Sequence, residues 1–162
     1  VENLKAGVKI NLKTGSVSSL EAEIDSRNLN FQVWLSAYAG LENRYPEAGI
    51  FLGYKPSWGV FKPEFYTEAI IELNDFDLTH RLGARIELLN NFWGGLEFEW
   101  PSEKYFIRAQ YIPLKIRRPY FQWRYSPDLD EHETSIGYRF DEHISIELYY
   151  KDKLGIKGKW HL

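Results

Sequence analysis

Cysteine and methionine are both absent from the sequence. Without thiols there can be no disulfide framework, no zinc ribbon and no thiol nucleophile. Four histidines are too few for a multinuclear metal site, and no cofactor is expected. Neither sign of charge dominates: 20 lysines and arginines stand against 23 acidic residues, giving a net charge of −3. That balance argues against a nucleic-acid partner. Long apolar runs are missing too. Stretches such as Ala69-Ile70-Ile71 end far short of the roughly 18 residues a membrane helix needs, which excludes a helical membrane protein. No nucleotide-binding loop, metal-ligand spacing or catalytic triad is present. The 162 residues suit one domain spanning 1–162. An opening on Val1 with no apolar signal core fits a mature exported chain whose leader has been removed.

Apolar and charged residues are instead abundant together. The chain is 44% hydrophobic, 17% aromatic and 27% charged, with a mean hydropathy of −0.44. The two kinds alternate strictly, in runs of about nine to eleven residues broken by short turns, which is the period of a β-strand with two unlike faces. Leu4, Ala6, Val8, Ile10 and Leu12 share one face, and Thr14-Gly15-Ser16 supplies the turn into Leu20, Ala22 and Ile24. After Ser26-Arg27-Asn28 the pattern resumes with Leu29, Phe31, Val33, Leu35, Ala37 and Ala39. Further strands are predicted near 47–55, 60–73, 78–89, 92–100, 104–112, 116–125, 133–140, 143–151 and 154–161. The sum is an all-β, up-and-down antiparallel meander of about twelve strands. Prolines interrupt Lys55 to Pro63, and the parity slips between Ile112 and Pro119. If either segment is not strand, the count becomes ten.

Such a meander closes with its apolar face inward, as in soluble carriers of apolar ligands, or outward, as in membrane barrels. Three features favour outward. Gly7, Gly49, Gly53, Gly83, Gly95, Gly137 and Gly155 fall on the polar face, where small residues relieve crowding on the concave side of a curved sheet. Tyr54, Trp100, Tyr105, Tyr111, Tyr125, Tyr150 and Trp160 fall at strand ends on the apolar face, the positions of two membrane-interface girdles. Strands near ten residues also suit a tilted crossing of a bilayer. The polar parity then lines a lumen. Its charged and polar members are Lys5 and Lys9 on the first strand, Glu21, Glu23 and Asp25 on the second and Gln32 on the third. Later strands add Glu68 and Glu72, Arg81 and Arg85, Glu97 and Glu99, then Arg108, Arg124, Arg139, Glu147 and Lys157. Turn positions set Lys5 opposite Asp25, Lys9 opposite Glu21, Arg81 opposite Glu99 and Glu147 opposite Lys157. Pairing Trp100 with Tyr105 would set Glu97 opposite Arg108.

In these dyad repeats, aromatic strand ends and the final strand Leu154, Ile156, Gly158, Trp160, Leu162, the whole chain resembles the bacterial outer-membrane β-barrel class. The resemblance implies an outer-membrane location, a lipid bilayer or detergent as partner, a monomeric barrel and contact of the last strand with an outer-membrane assembly machine. That strand ends on Leu162 where the class usually carries an aromatic, and the connections are short at both rims, the longest expected at Gly40 to Glu47 and Ser126 to Glu133. Short connections are also similar to those of designed transmembrane barrels. The function expected is a passive pore for ions and small solutes with weak charge selectivity. A structural or designed barrel that serves as a nanopore scaffold is the first alternative, and a soluble carrier of an apolar ligand the second. Twelve strands would enclose a backbone diameter of roughly 24 Å.

Catalysis has one candidate. His143-Ile144-Ser145 superficially resembles the His-x-Ser pair of lipid A deacylases, but Ile146 follows where those enzymes have Asn, and no enzyme activity is expected. Asp141-Glu142-His143 reads more simply as a polar turn. His80 lies on the apolar parity near a strand start, and His132 sits beside the acids of the Asp128 to Glu133 loop, which read as solvated.

Overall fold

The computed structural model describes residues 5–10, 20–25, 28–40, 44–56 and 61–162, the first two segments by backbone alone. The proposed turn at Thr14-Gly15-Ser16 lies outside them. Alternation yields strands throughout: β1 (Lys5–Ile10), β2 (Leu20–Asp25), β3 (Leu29–Gly40), β4 (Glu47–Tyr54), β5 (Pro63–Glu72) and β6 (Leu78–Leu89), followed by β7 (Phe92–Trp100), β8 (Lys104–Tyr111), β9 (Pro119–Ser126), β10 (Glu131–Arg139), β11 (Ile144–Tyr150) and β12 (Leu154–His161).

Ten of these, β3 to β12, form a closed antiparallel barrel in which every strand pairs with its sequence neighbour and β12 returns to β3. The closing ladder runs from Gly155 opposite Gly40 to His161 opposite Trp34. Closure leaves no open sheet edge among the barrel strands. The remaining pair, β1 and β2, forms a separate two-stranded sheet. Its register sets Lys5 opposite Asp25 and Lys9 opposite Glu21, as the sequence predicts.

The barrel therefore has ten strands, and neither interrupted segment is the reason. Residues 55–56, 61–62 and 112–118 are outside the strands, and Pro56, Pro113 and the strand-opening Pro63 and Pro119 have no ladder donor, yet the strands on both sides of each segment persist. The two missing staves are β1 and β2. By the same spacing and tilt, ten strands enclose a backbone diameter of about 20 Å, narrower than twelve would give. Within the barrel the intervals between β4 and β5 and between β8 and β9 are longer than the two links expected to be longest, which occupy only residues 41–46 and 127–130.

Side-chain parity sorts the wall into two faces. Trp34, Ser36, Tyr66, Glu68, Glu97, Phe106, Arg124, Ser145 and Glu147 are buried inside, while Phe31, Ile50, Leu82, Leu96, Ile136, Leu148 and Ile156 are exposed outside. Four inward aromatic rings lie flat over glycines. A methyl group at Gly49, Gly83, Gly137 or Gly155 would overlap the ring of Trp34, Tyr66, Tyr120 or Tyr149 respectively. All four pairs are direct cross-strand partners: Trp34 faces Gly49, Tyr66 faces Gly83, Tyr120 faces Gly137 and Tyr149 faces Gly155. Bare backbone on the concave wall is what lets so narrow a barrel hold so many large rings.

Candidate functional site

The lumen is a cavity of ≈ 580 Å³ whose lining includes residues from both rims. One rim gathers the turns after β3, β5, β7, β9 and β11, and contributes Asp75, Asp77, Glu103, Asp128, Asp130 and Asp152, offset by Arg44, Lys151 and Lys153. The other gathers the turns after β4, β6, β8 and β10. It contributes Lys55, Lys62, Lys115, Arg117 and Arg118 against Asp141 and Glu142. The barrel thus has an acidic and a basic end.

Between the rims, one side of the wall is a self-neutralising network. Glu97 is its centre. Its Oε2 accepts the Tyr66 hydroxyl at 2.7 Å and an N–H of Arg108, and its Oε1 accepts Arg124 Nη2 at 2.6 Å. Arg124 continues to Glu133 at 2.7 Å and Glu99 at 3.1 Å. Arg81 donates Nε to Glu99 at 2.9 Å and reaches Glu68 at 3.5 Å, whose Oε1 takes the Trp34 indole N–H at 3.0 Å. Toward the basic rim, Arg85 donates to the fully buried Glu64 at 2.6 Å and to Gln110 at 2.8 Å. Buried charges require this density of partners, since a single unpaired one would cost several kcal/mol, on the order of 3–5 when a partner is removed.

Of the predicted lumen residues from Gln32 onward, Gln32, Glu68, Arg81, Arg85, Arg108, Arg124, Arg139, Glu147 and Lys157 line the cavity, Glu97 is buried and Glu99 pairs with Arg81, and Glu72 ends β5 at the acidic rim. The five on β1 and β2 do not join them. Lys5, Lys9, Glu21, Glu23 and Asp25 sit on the separate hairpin, whose strands pair only with each other, so they are not part of the barrel wall. One register expectation needs correction. Phe98, not Trp100, faces Tyr105, which puts Glu97 opposite Phe106 and Arg108 opposite Gly95. Arg108 still reaches Glu97 along the diagonal. Arg81 and Glu99 do face each other. Glu147 faces Lys157 but accepts the Tyr120 hydroxyl at 2.7 Å, without an ion pair to the lysine.

Several lumen residues were absent from the sequence-based set although parity already places them: Glu64 shares the face of Glu68, Glu133 that of Arg139, and Lys159 and His161 that of Lys157. The outward aromatics separate into two levels. Trp100, Tyr105, Tyr125 and Tyr150 lie toward the acidic rim, and Tyr54, Tyr111 and Trp160 toward the basic rim. His80 is outward beside Trp100 and shares a 2.7 Å hydrogen bond with Thr67. His132 is stacked on Tyr125 with ring centroids 4.5 Å apart.

His143 and Ser145 are not assembled as a pair. The His143 Nδ1 lies 3.1 Å from the carbonyl of His161, while Ser145 is buried on the lumen side. No family model matches the chain, and no curated protein matches it.

Proposed function

We propose that the chain is a transmembrane β-barrel of the bacterial outer membrane whose lumen is a narrow, water-filled passage for ions and small solutes. One observation carries the reading: the barrel is inside out relative to a water-soluble protein. Its interior holds Glu64, Glu97, Arg124 and Glu147, whereas Phe31 is 64% and Leu96 67% exposed on the outer wall. An apolar surface continuous around a closed wall is far larger than the few hundred Å² that soluble monomers tolerate, and lipid is the solvent that accepts it. The two levels of outward Tyr and Trp support the same reading, since amphipathic rings settle at the headgroup boundary. A closed wall needs no partner strand, which supports a monomer. The strand β12 would be the element offered to an assembly machine.

Passage of water and ions is supported by the charged cavity with lining from both rims. A second reading, a structural barrel without a solute, draws on the ion-paired cluster around Glu97 that occupies one side of the lumen. Two measurements test these readings. Detergent-folded protein should migrate differently on SDS gels before and after boiling, and the same preparation in planar bilayers should give small, steady currents. Unchanged mobility would overturn the membrane-barrel reading. A folded, inserted barrel that stays silent over many trials would select the structural one.

A further inference from the structure

The lumen is electrostatically lopsided. On the wall formed by β5 to β10, the cations of Arg81, Arg85, Lys104, Arg108 and Arg124 each have a carboxylate within ion-pair distance. Elsewhere, Arg139 at the end of β10 and Lys157 and Lys159 on β12 line the cavity with no such carboxylate among the described residues. The nearby acids are already engaged: Glu147 by the Tyr120 hydroxyl, Glu68 by Trp34 and Arg81, and Glu47, which faces Ser36 from β4, by the Tyr38 hydroxyl at 2.5 Å. Lys157 and Lys159 instead lie over the Trp34 ring, 5.2 and 4.3 Å from its centroid. Cation–π contact leaves the outer side of an ammonium free for an anion.

A second observation falls at the same place. Lys159 is directly opposite Ser36 across the closing seam. Ser36 is buried, and its hydroxyl has no hydrogen-bond partner. A buried hydroxyl without a partner ordinarily costs about 1–3 kcal/mol, so this donor, on the position that faces Lys159 across the seam, is available to an acceptor. The mouth on this side is the basic rim, where Lys55 and Lys62 also line the cavity. Positive groups at an entrance with low-dielectric walls raise the local concentration of anions.

We propose that the β12–β3 wall holds a site for a small inorganic anion of halide size, bound by the Lys159 ammonium and the Ser36 hydroxyl with Lys157 alongside, and that this site makes the passage prefer anions. The inference rests on the lumen being hydrated, as the pore reading requires, and it replaces weak selectivity with a defined sign. Iodide is the probe, because it quenches indole on contact and Trp34 lies against Lys159. In the detergent-folded full chain, the Trp34 contribution is the difference between wild type and Trp34→Phe.

Iodide should quench that contribution about twofold or more better than caesium, a cation of similar size. Lys159→Gln should remove the advantage and Lys159→Arg should keep it. Equal quenching by the two ions, or an advantage that survives Lys159→Gln, overturns the site. Should Trp34→Phe fail to fold, the same comparison is made on total emission between Lys159→Gln and Lys159→Arg. Zero-current potentials in a potassium chloride gradient then test the pore separately. Chloride preference that falls in Lys159→Gln supports both ideas. Absence of current with the iodide effect intact defeats the pore and leaves the site. Current without anion preference, together with no iodide effect, defeats the site and leaves the pore.

Discussion

At the scale of single residues, the barrel depends on what is missing from its glycines. Tyr66 lies over Gly83, and its hydroxyl is fixed by Glu97 at 2.7 Å and Arg108 at 2.9 Å. The ring has no cheap way to retreat from an added methyl. Gly83→Ala should therefore lose about 1–3 kcal/mol of stability, the usual cost of overpacking. In Tyr66→Leu the same change should cost much less, which a urea titration of the four proteins in lipid vesicles would read as coupling. Asp141 offers a residue-scale pH test. The backbone N–H groups of His143 and Ile144 donate to its carboxylate at 2.7 and 2.8 Å and hold its pKa below the ordinary value of 3.8. A depressed folded pKa contributes stability above the unfolded value and loses it as pH falls through the folded one. The stability gap between wild type and Asp141→Ala should be present at neutral pH and shrink below about pH 4. A gap that stays constant down to pH 2 would remove the charged acceptor as its cause.

At the scale of strands, parity decides which solvent a side chain meets. Val33 points outward and Gln32 inward on β3. Val33→Arg should destabilise the inserted barrel by about 2–4 kcal/mol if it lies near the bilayer midplane, while Gln32→Arg should be tolerated. Equal costs in a refolding titration would contradict the assignment of faces. Parity was also what the sequence showed best. The strands, their faces, the aromatic levels and most lumen charges follow from alternation alone, because a period of two needs no tertiary information. Register is less visible. Between β7 and β8 the expected partner of Tyr105 was off by two residues, and a slip of two keeps every side chain on its own face. Only the turn decides it. Here Pro101, which has no backbone donor, and Glu103, in the left-handed region at φ 55, set a turn that no hydrophobic pattern reports. Which acid each arginine would choose was hidden for a further reason. Long guanidinium arms reach diagonally, so Arg108 meets Glu97 while facing Gly95.

At the scale of the whole molecule, the number of staves was the feature alternation could not supply. β1 and β2 carry the same dyad pattern as the rest and differ only in composition, since no aromatic residue precedes Phe31. The distinction lies in long-range pairing. β12 forms seven residue pairs with β3, and backbone groups engaged there cannot also pair with β1 or β2. Small residues pair at two places along that seam, Gly155 with Gly40 and Gly158 with Ala37, and a methyl group on Gly40 would overlap the Gly155 backbone. Further bonds continue the closure past the ladder, since the Leu162 N–H donates to the Val33 carbonyl at 2.9 Å. The ten-stranded wall is therefore complete without the hairpin, and a chain comprising residues 28–162 should fold into the same barrel. Its boiled and unboiled forms should differ in gel mobility as those of the full chain do, and its urea midpoint should lie close to the parent's. A two-stranded hairpin alone is marginal in water, so its loss should remove little cooperative stability. Were the hairpin instead two staves of the wall, its deletion would leave β3 and β12 to bridge the gap of two strands, about 10 Å at normal strand spacing. The shortened chain would then lose its heat-dependent mobility shift or form a barrel of measurably lower conductance, and either result would favour twelve strands over ten.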